Sequence, residues 1–487
     1  MVTTPTQYRH TKIIFTIGPS TDSPEKLQAL IHEGVDVCRI NMAHADEEWT
    51  RAIMAKLREA CKETGREIAS MIDVKGPEIR TGKVDEPIDL KVGDILKLWT
   101  TEPPASTDAG VYNVGVNYAG LPGDLTPGAT MLLDSGLIQL EVMECSPAFV
   151  KAKVVIPGKL GSRRHINLPG VEVNLPSLTE KDRKDIQVGI EEGVDFIALS
   201  FVRNAQAVNE LRDLLKHLGS DARIISKIED QAGLKNLEEI IMASDAIMVA
   251  RGDLGIEISY EKLPTVQRNA VFACQKHGKP VIVATHLLES MTNAPVPTRA
   301  EVTDVSNAVR EQTDCIMLSG ETTMGSYPLE CVRVMKRVIN ATEATNTREL
   351  NRSIVLKTPK AKLLRSAAVL AQELEGIGVV VFTRSGFLPH VLAALRPNGI
   401  PIYAFTDVRP VFRQMLMLWG VEPFMIDFDE SDPEETIQRS FDYLCRRGWC
   451  KPGDQLAVIT NALARDKIID TLQLRDIPMP DAPATQA

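Results

Sequence analysis

The chain has 487 residues, 44% of them apolar, and a formal net charge of −10. That length exceeds a single hydrophobic core and suits two or three domains. The acidic balance argues against nucleic acid as a main partner, because a polyanion needs a basic surface, and no apolar run approaches a membrane span. The segment Met1–His10 is polar and lacks the apolar stretch of a secretory leader. The eight cysteines are scattered without metal-type spacing and read as reduced side chains of a cytoplasmic protein.

In chain order, a short apolar run that stops at polar residues recurs eight times: Lys12–Pro19, Val35–His44, Ile68–Lys75, Val194–Arg203, Arg223–Glu229, Asp245–Asp253, Pro280–His286 and Asp314–Glu321. Near-continuous hydrophobicity at these lengths indicates buried parallel strands. Amphipathic stretches fit between them, one opened by a capping box read at Ser177–Glu180. Eight such units predict a (β/α)8 barrel over residues 1–82 and 170–345, with a doubly wound open sheet as the alternative. Residues 83–169 are rich in Val, Gly, Pro and Thr, with turn signals at Leu121-Pro122-Gly123 and Asp134-Ser135-Gly136. They predict a small inserted β-barrel lid domain over the active rim. Residues 350–476 read as a C-terminal α/β regulatory domain. It has a helix at Leu363–Leu374, strands at Val379–Thr383, Ile402–Phe405, Pro423–Phe428 and Leu456–Thr460, and Met415–Trp419 in its core. Residues 477–487 read as a disordered tail.

The strand ends carry the chemistry. Arg39 and Asn41, Asp73 and Lys75, Lys227 and Glu229, and Arg251 and Asp253 are each two residues apart, so each pair is expected on one side of its strand. Thr285 closes the seventh run, and Ser319 and Glu321 the eighth. In a barrel all these ends meet at one rim. Glu229 and Asp253 are candidate ligands for Mg²⁺ or Mn²⁺, with Lys227 and Arg39 as cations for an anionic substrate. Gly252 allows close backbone approach, and Thr285 can hydrogen-bond a carboxylate or guide a proton. No Walker loop and no GxGxxG occurs. Phosphoryl transfer and nucleotide-free enolate chemistry both fit this set.

Several segments resemble the pyruvate kinase family, in its order. They are Thr16–Pro19, Asp73–Gly82, Ile225–Glu229, Met248–Gly255, Pro297–Glu301 and Leu318–Thr322, within a likeness that runs to about residue 475. The resemblance implies transfer of phosphate from phosphoenolpyruvate to ADP, giving pyruvate and ATP, by a homotetramer. It implies Lys227, Arg39 and Thr285 as catalytic, and Arg39, Lys227, Gly252, Asp253 and Thr285 as substrate-binding. Asn41, His44, Arg80 and Arg164 are implied near the nucleotide, Glu229 and Asp253 on Mg²⁺, and Asn41, Asp73 and the carbonyl of Val74 on K⁺. The sequence departs from the family at Asn41-Met42-Ala43-His44-Ala45, where Ala43 replaces a serine that binds potassium, and at His286, where glutamine is usual. His44 is expected to brace the rim. Glu78 stands where potassium-independent relatives carry lysine. Read as an unbalanced carboxylate, it predicts continued K⁺ dependence, weakened by the side-chain oxygen that Ala43 lacks. Thr383, Arg384, Ser385 and Gly386 open a helix and predict a site for a phosphorylated effector.

Overall fold

The structure is a computed structural model that describes residues 8–106, 108–345, 350–374, 378–464 and 467–479. Its first domain holds eight parallel strands: β1 (Lys12–Thr16), β2 (Val37–Asn41), β3 (Ala69–Val74), β4 (Phe196–Leu199), β5 (Arg223–Ile228), β6 (Ala246–Ala250), β7 (Val281–Ala284) and β8 (Cys315–Leu318). They close into a barrel in the order β1-β8-β7-β6-β5-β4-β3-β2. Each lies inside one of the eight apolar runs, and the open-sheet alternative is excluded by closure of β1 on β8. The runs are almost wholly apolar because each strand is covered twice. Inward residues such as Ile14, Met71, Ile225 and Met248 fill the barrel, and outward ones such as Ile72, Ile197 and Val249 pack under the helices. The helix after the lid, Glu180–Glu191, does open with a capping box, but it is formed by Thr179 and Asp182.

The inserted segment leaves the barrel after β3. It forms a six-stranded sheet that includes Ile95–Trp99, Thr130–Leu133, Ile138–Ser146, Phe149–Ile156 and Ile166–Asn167, with a small two-stranded sheet beside it. Its core, which includes Leu98, Met131, Leu140, Val150 and Val154, is separate from that of the barrel. Two bridges, Arg80 to His165 and Thr81 to Val116, tie its outgoing chain to the returning chain and to the lid sheet.

The C-terminal domain holds β9 (Gly378–Phe382), β10 (Ile402–Thr406), β11 (Val421–Met425), β12 (Gln455–Ala464) and β13 (Lys467–Asp476), in one sheet of order β11-β10-β9-β12-β13. The antiparallel β13 has no counterpart among the strands expected from sequence. Nor is Met415–Trp419 wholly core of this domain: Met415 and Leu418 are, but Leu416 and Met417 plug the barrel interior and Trp419 stacks on His10. An apolar cluster reads alike in sequence whichever core it fills. Ile477, placed in the disordered tail, is 3% exposed and packs beside Trp449 and Cys450; residues 480–487 lie outside the described residues. Among the described residues no helix is long and apolar enough to cross a membrane, and all eight cysteines are free.

Candidate active site

The rim where β2, β3, β4 and β5 end holds one charge cluster. Parallel pairing sets Asn41 opposite Asp73 and Ala198 opposite Asp73 on the other side, so these strands deliver their ends at one level. Asp73, 1% exposed, accepts from Arg39 Nε at 2.7 Å and lies 3.1 Å from Lys227 Nζ. Lys227 also lies 2.9 Å from Glu229 Oε1 and donates to Ser200 Oγ at 2.7 Å. Lys227 and Glu229 thus do point to one side, as their spacing predicts. Burial works against the Lys227 ammonium, but Asp73 and Glu229 outweigh it and hold its pKa above the ordinary lysine value. Burial works against the Asp73 carboxylate too, and Lys227 and Arg39 overcome it, so its pKa falls. Glu229 is pushed up to about 7 by burial; Lys227 opposes this, and the negative charges of Asp253 and Asp73 add to it.

Two residues missed in the sequence complete the cluster, one through its side chain and one through its backbone. Ser200, directly after β4, bonds Asp73 at 3.3 Å and the Val74 carbonyl at 2.7 Å as well as Lys227. Phe201 follows with φ 53° and donates its N–H to Glu229 Oε2 at 2.7 Å. The signal was present as a polar residue ending the apolar run of β4, but a lone serine without a charged neighbour two residues away did not fit the paired pattern.

The pair expected at the end of β6 is not a pair. The chain turns into the helix Arg251–Glu257 directly after Ala250, and helical spacing sends Arg251 and Asp253 apart. Arg251 is buried and bonds the Thr285 carbonyl at 2.6 Å, Gln267 at 3.1 Å and Asp304 at 2.8 Å. It braces the loop after β7. In that loop Thr285 and His286 have φ of 68° and 54°, costly for a β-branched residue. Thr285 Oγ1 is pinned between the Gly252 N–H and the Ala284 carbonyl, 2.7 Å from each. His286 is exposed. Glu321, fully buried, accepts from the Ser319 and Leu288 N–H groups and caps local backbone instead of facing the rim.

The remaining candidates spread outward. His44 is exposed, and its ring has no hydrogen-bond partner among the described residues, so it does not brace the rim. Arg80 and Arg164 belong to the lid hinge, bonded to Glu78 at 2.7 Å and Asp134 at 3.2 Å. Glu78 is not unbalanced: Lys75 pairs with it at 2.9 Å as Arg80 does, and the two lower its pKa despite burial. The repulsion argument for potassium therefore fails. In the C-terminal domain, Thr383 Oγ1 accepts from the Ser385 and Gly386 N–H groups, and Arg384 pairs with Asp407 and Glu430. That loop is satisfied internally.

The donor set suits a hard divalent cation. Glu229 offers one carboxylate, and the half-buried Asp253 has no hydrogen-bond or ion-pair partner among the described residues. Among the described residues no group of three or more His, Cys, Asp or Glu is placed to hold a metal ion, so further oxygens must come from substrate and water, as is usual for Mg²⁺. For K⁺ the oxygens of Asn41, Asp73 and Val74 are of the right type. Each already accepts a hydrogen bond, from Ala43, Arg39 and Ser200 respectively, and Ala43 adds no side-chain oxygen.

Comparison with known proteins identifies the family. The family model of the pyruvate kinase barrel domain matches residues 8–332, and that of the pyruvate kinase alpha/beta domain residues 361–472. Plastidial pyruvate kinase 2 of Arabidopsis thaliana is 40% identical over 97% of this chain and 82% of its own. A pyruvate kinase of Geobacillus stearothermophilus is 41% identical over 93% of this chain and 77% of its own. The crystal structure of a pyruvate kinase from Cryptosporidium parvum superposes with a TM-score of 0.91 at 34% identity, covering 97% of each chain. The family's barrel and its C-terminal domain are thus both present, and the chain belongs to the pyruvate kinase family of phosphotransferases.

Proposed function

We propose that this enzyme transfers the phosphoryl group of phosphoenolpyruvate to ADP, giving pyruvate and ATP. The observation that carries the reading is Lys227, a buried ammonium held charged by Asp73 and Glu229 with Ser200 as its third partner. A cation fixed in advance costs no reorganisation when charge develops on the moving phosphoryl group and on the enolate oxygen left behind. Arg39, oriented by Asp73 and Thr16, is a fixed fork for a phosphate. Thr285 Oγ1, which accepts from the Gly252 N–H and donates to the Ala284 carbonyl, would bond the substrate carboxylate by turning its proton away from Ala284. Asn41, His44, Arg80 and Arg164 are assigned to the nucleotide side, and the lid keeps out water that would otherwise accept the phosphoryl group.

Mg²⁺ or Mn²⁺ would be held by Glu229 and Asp253, where it supplies positive charge to phosphoryl oxygens. Asn41, Asp73 and Val74 would hold K⁺, weakly, given Ala43. A phosphorylated effector at Thr383–Gly386 would have to displace Asp407 and Glu430 from Arg384. The family's tetrameric habit is proposed for this chain, as is a cytoplasmic location. The test is an assay coupled to lactate dehydrogenase with phosphoenolpyruvate, ADP and Mg²⁺. NADH oxidation that requires all three supports the reading; its absence in folded protein overturns it.

A further inference from the structure

The lid meets the barrel through the helix Arg251–Glu257. A Cβ on Gly136, at a lid turn, would lie 3.5 Å from Ile256. Asn167, on the last lid strand, donates from Nδ2 to Glu257 Oε1 at 3.1 Å. Both are buried, at 4% and 7% exposed. The helix after β5 joins them, since Gln231 Nε2 donates to the Glu257 carbonyl at 2.5 Å. One atom is left over: Asn167 Oδ1 is buried without a hydrogen-bond partner, a costly omission for a carbonyl oxygen out of water. A carboxylate cannot donate to it. A carboxylic acid can, and a carboxamide and an acid match each other donor to acceptor twice over.

We propose that Asn167 and Glu257 are positioning residues that latch the lid to the helix carrying Gly252 and Asp253 as a paired carboxamide and carboxylic acid, and that the latch weakens when Glu257 loses its proton. The surroundings favour the neutral acid. Burial is the largest influence pushing Glu257 up to about 7; the Asn167 N–H opposes it, Asp230 and Asp253 repel the charged form, and Arg203 attracts it. Arg203 is already committed to Asp230 at 2.8 Å. Lys235, which lines the same cleft of about 250 Å³, is paired with Glu172 at 3.0 Å. His165 on the cleft wall is held toward its neutral form by burial. Asp253 contributes less than Asp230 or Arg203, so a cation on Asp253 shifts the latch without abolishing it.

The direction follows from linkage. With the lid closed the acid holds its proton up to about 7; released into water it loses it near 4.5. Between those values the closed state binds more protons, so closure weakens as pH rises through that window, at most about tenfold per unit, and is level above it. The test compares hydrogen exchange of hinge peptides spanning 79–84 and 163–168 in the enzyme and in Glu257→Gln, side by side at each pH so that intrinsic exchange cancels. Glutamine keeps a neutral donor and acceptor at every pH. The exchange ratio of enzyme to variant is expected to rise about twentyfold from pH 5.5 to 7.5. Asn167→Leu, lacking both halves of the pair, is expected to speed hinge exchange at pH 5.5. A ratio constant within about twofold, or an Asn167→Leu hinge as protected as the enzyme's, overturns the proposal. The readout needs no turnover, so its failure is distinct from failure of the proposed reaction.

Discussion

Replacing Lys227 with methionine separates the chemistry of the rim from its stability. Methionine keeps the length of the side chain but removes the cation between Asp73 and Glu229. Taking one partner from a buried ion pair costs about 3–5 kcal/mol, but two features of this site point to the low end, roughly 3 kcal/mol. Arg39 still pairs with Asp73 at 2.7 Å. Glu229, already pushed to about 7, loses the cation that was pulling it down and takes a proton at neutral pH, so no second bare carboxylate is stranded. The catalytic loss is of another kind. A fixed cation at developing charge is worth at least about 10²–10³ in rate, roughly 2.7–4 kcal/mol of barrier. The measurements are turnover at saturating phosphoenolpyruvate, ADP and Mg²⁺, with far-UV circular dichroism and thermal unfolding of the same preparation. A folded, modestly destabilised protein with turnover down by about 10² or more is expected. Turnover within about tenfold of the unmodified enzyme would refute the role assigned to Lys227.

Glu229→Gln and Asp253→Asn should each raise the Mg²⁺ concentration needed for half-activity by at least about tenfold, and unchanged titration curves for both would remove them as ligands. In the unmodified enzyme, protons compete with metal for Glu229. The Mg²⁺ requirement should therefore rise as pH falls below about 7; a requirement independent of pH from about 6 to 8 contradicts this. Activity in tetramethylammonium buffer should respond to KCl at constant ionic strength, with Ala43→Ser lowering the KCl needed; equal turnover with and without K⁺ ends the potassium assignment. Sugar monophosphates and AMP should alter phosphoenolpyruvate affinity through Arg384, and a panel that leaves that affinity unchanged ends the effector assignment.

The barrel was legible because burial on both faces leaves an unbroken apolar run, and each of the eight runs contains a strand. The clustering of Arg39, Asp73, Lys227 and Glu229 was legible because alternate residues of a strand share a side. That rule reached only as far as the strands do. Arg251 and Asp253 lie in the first turn of a helix, where a spacing of two separates side chains, so Arg251 turned out to brace Thr285. Ser200 was hidden because hydroxyls are common at strand ends. The balance at Glu78 was hidden because its partners, Lys75 and Arg80, flank it at three and two residues in an irregular segment whose folding no periodicity dictates. Asn167 and Glu257 stand 90 residues apart in two domains, and nothing local to either residue marks the contact.

The central claim is that this rim moves a phosphoryl group between two bound molecules without releasing it to water. Phosphorus NMR of phosphoenolpyruvate, ADP, Mg²⁺ and enzyme tests it most directly. The account predicts that the phosphoenolpyruvate signal disappears as the γ-phosphate of ATP grows in equal amount, with orthophosphate near baseline. Loss of phosphoenolpyruvate into orthophosphate, or no loss at all in folded enzyme, would contradict it.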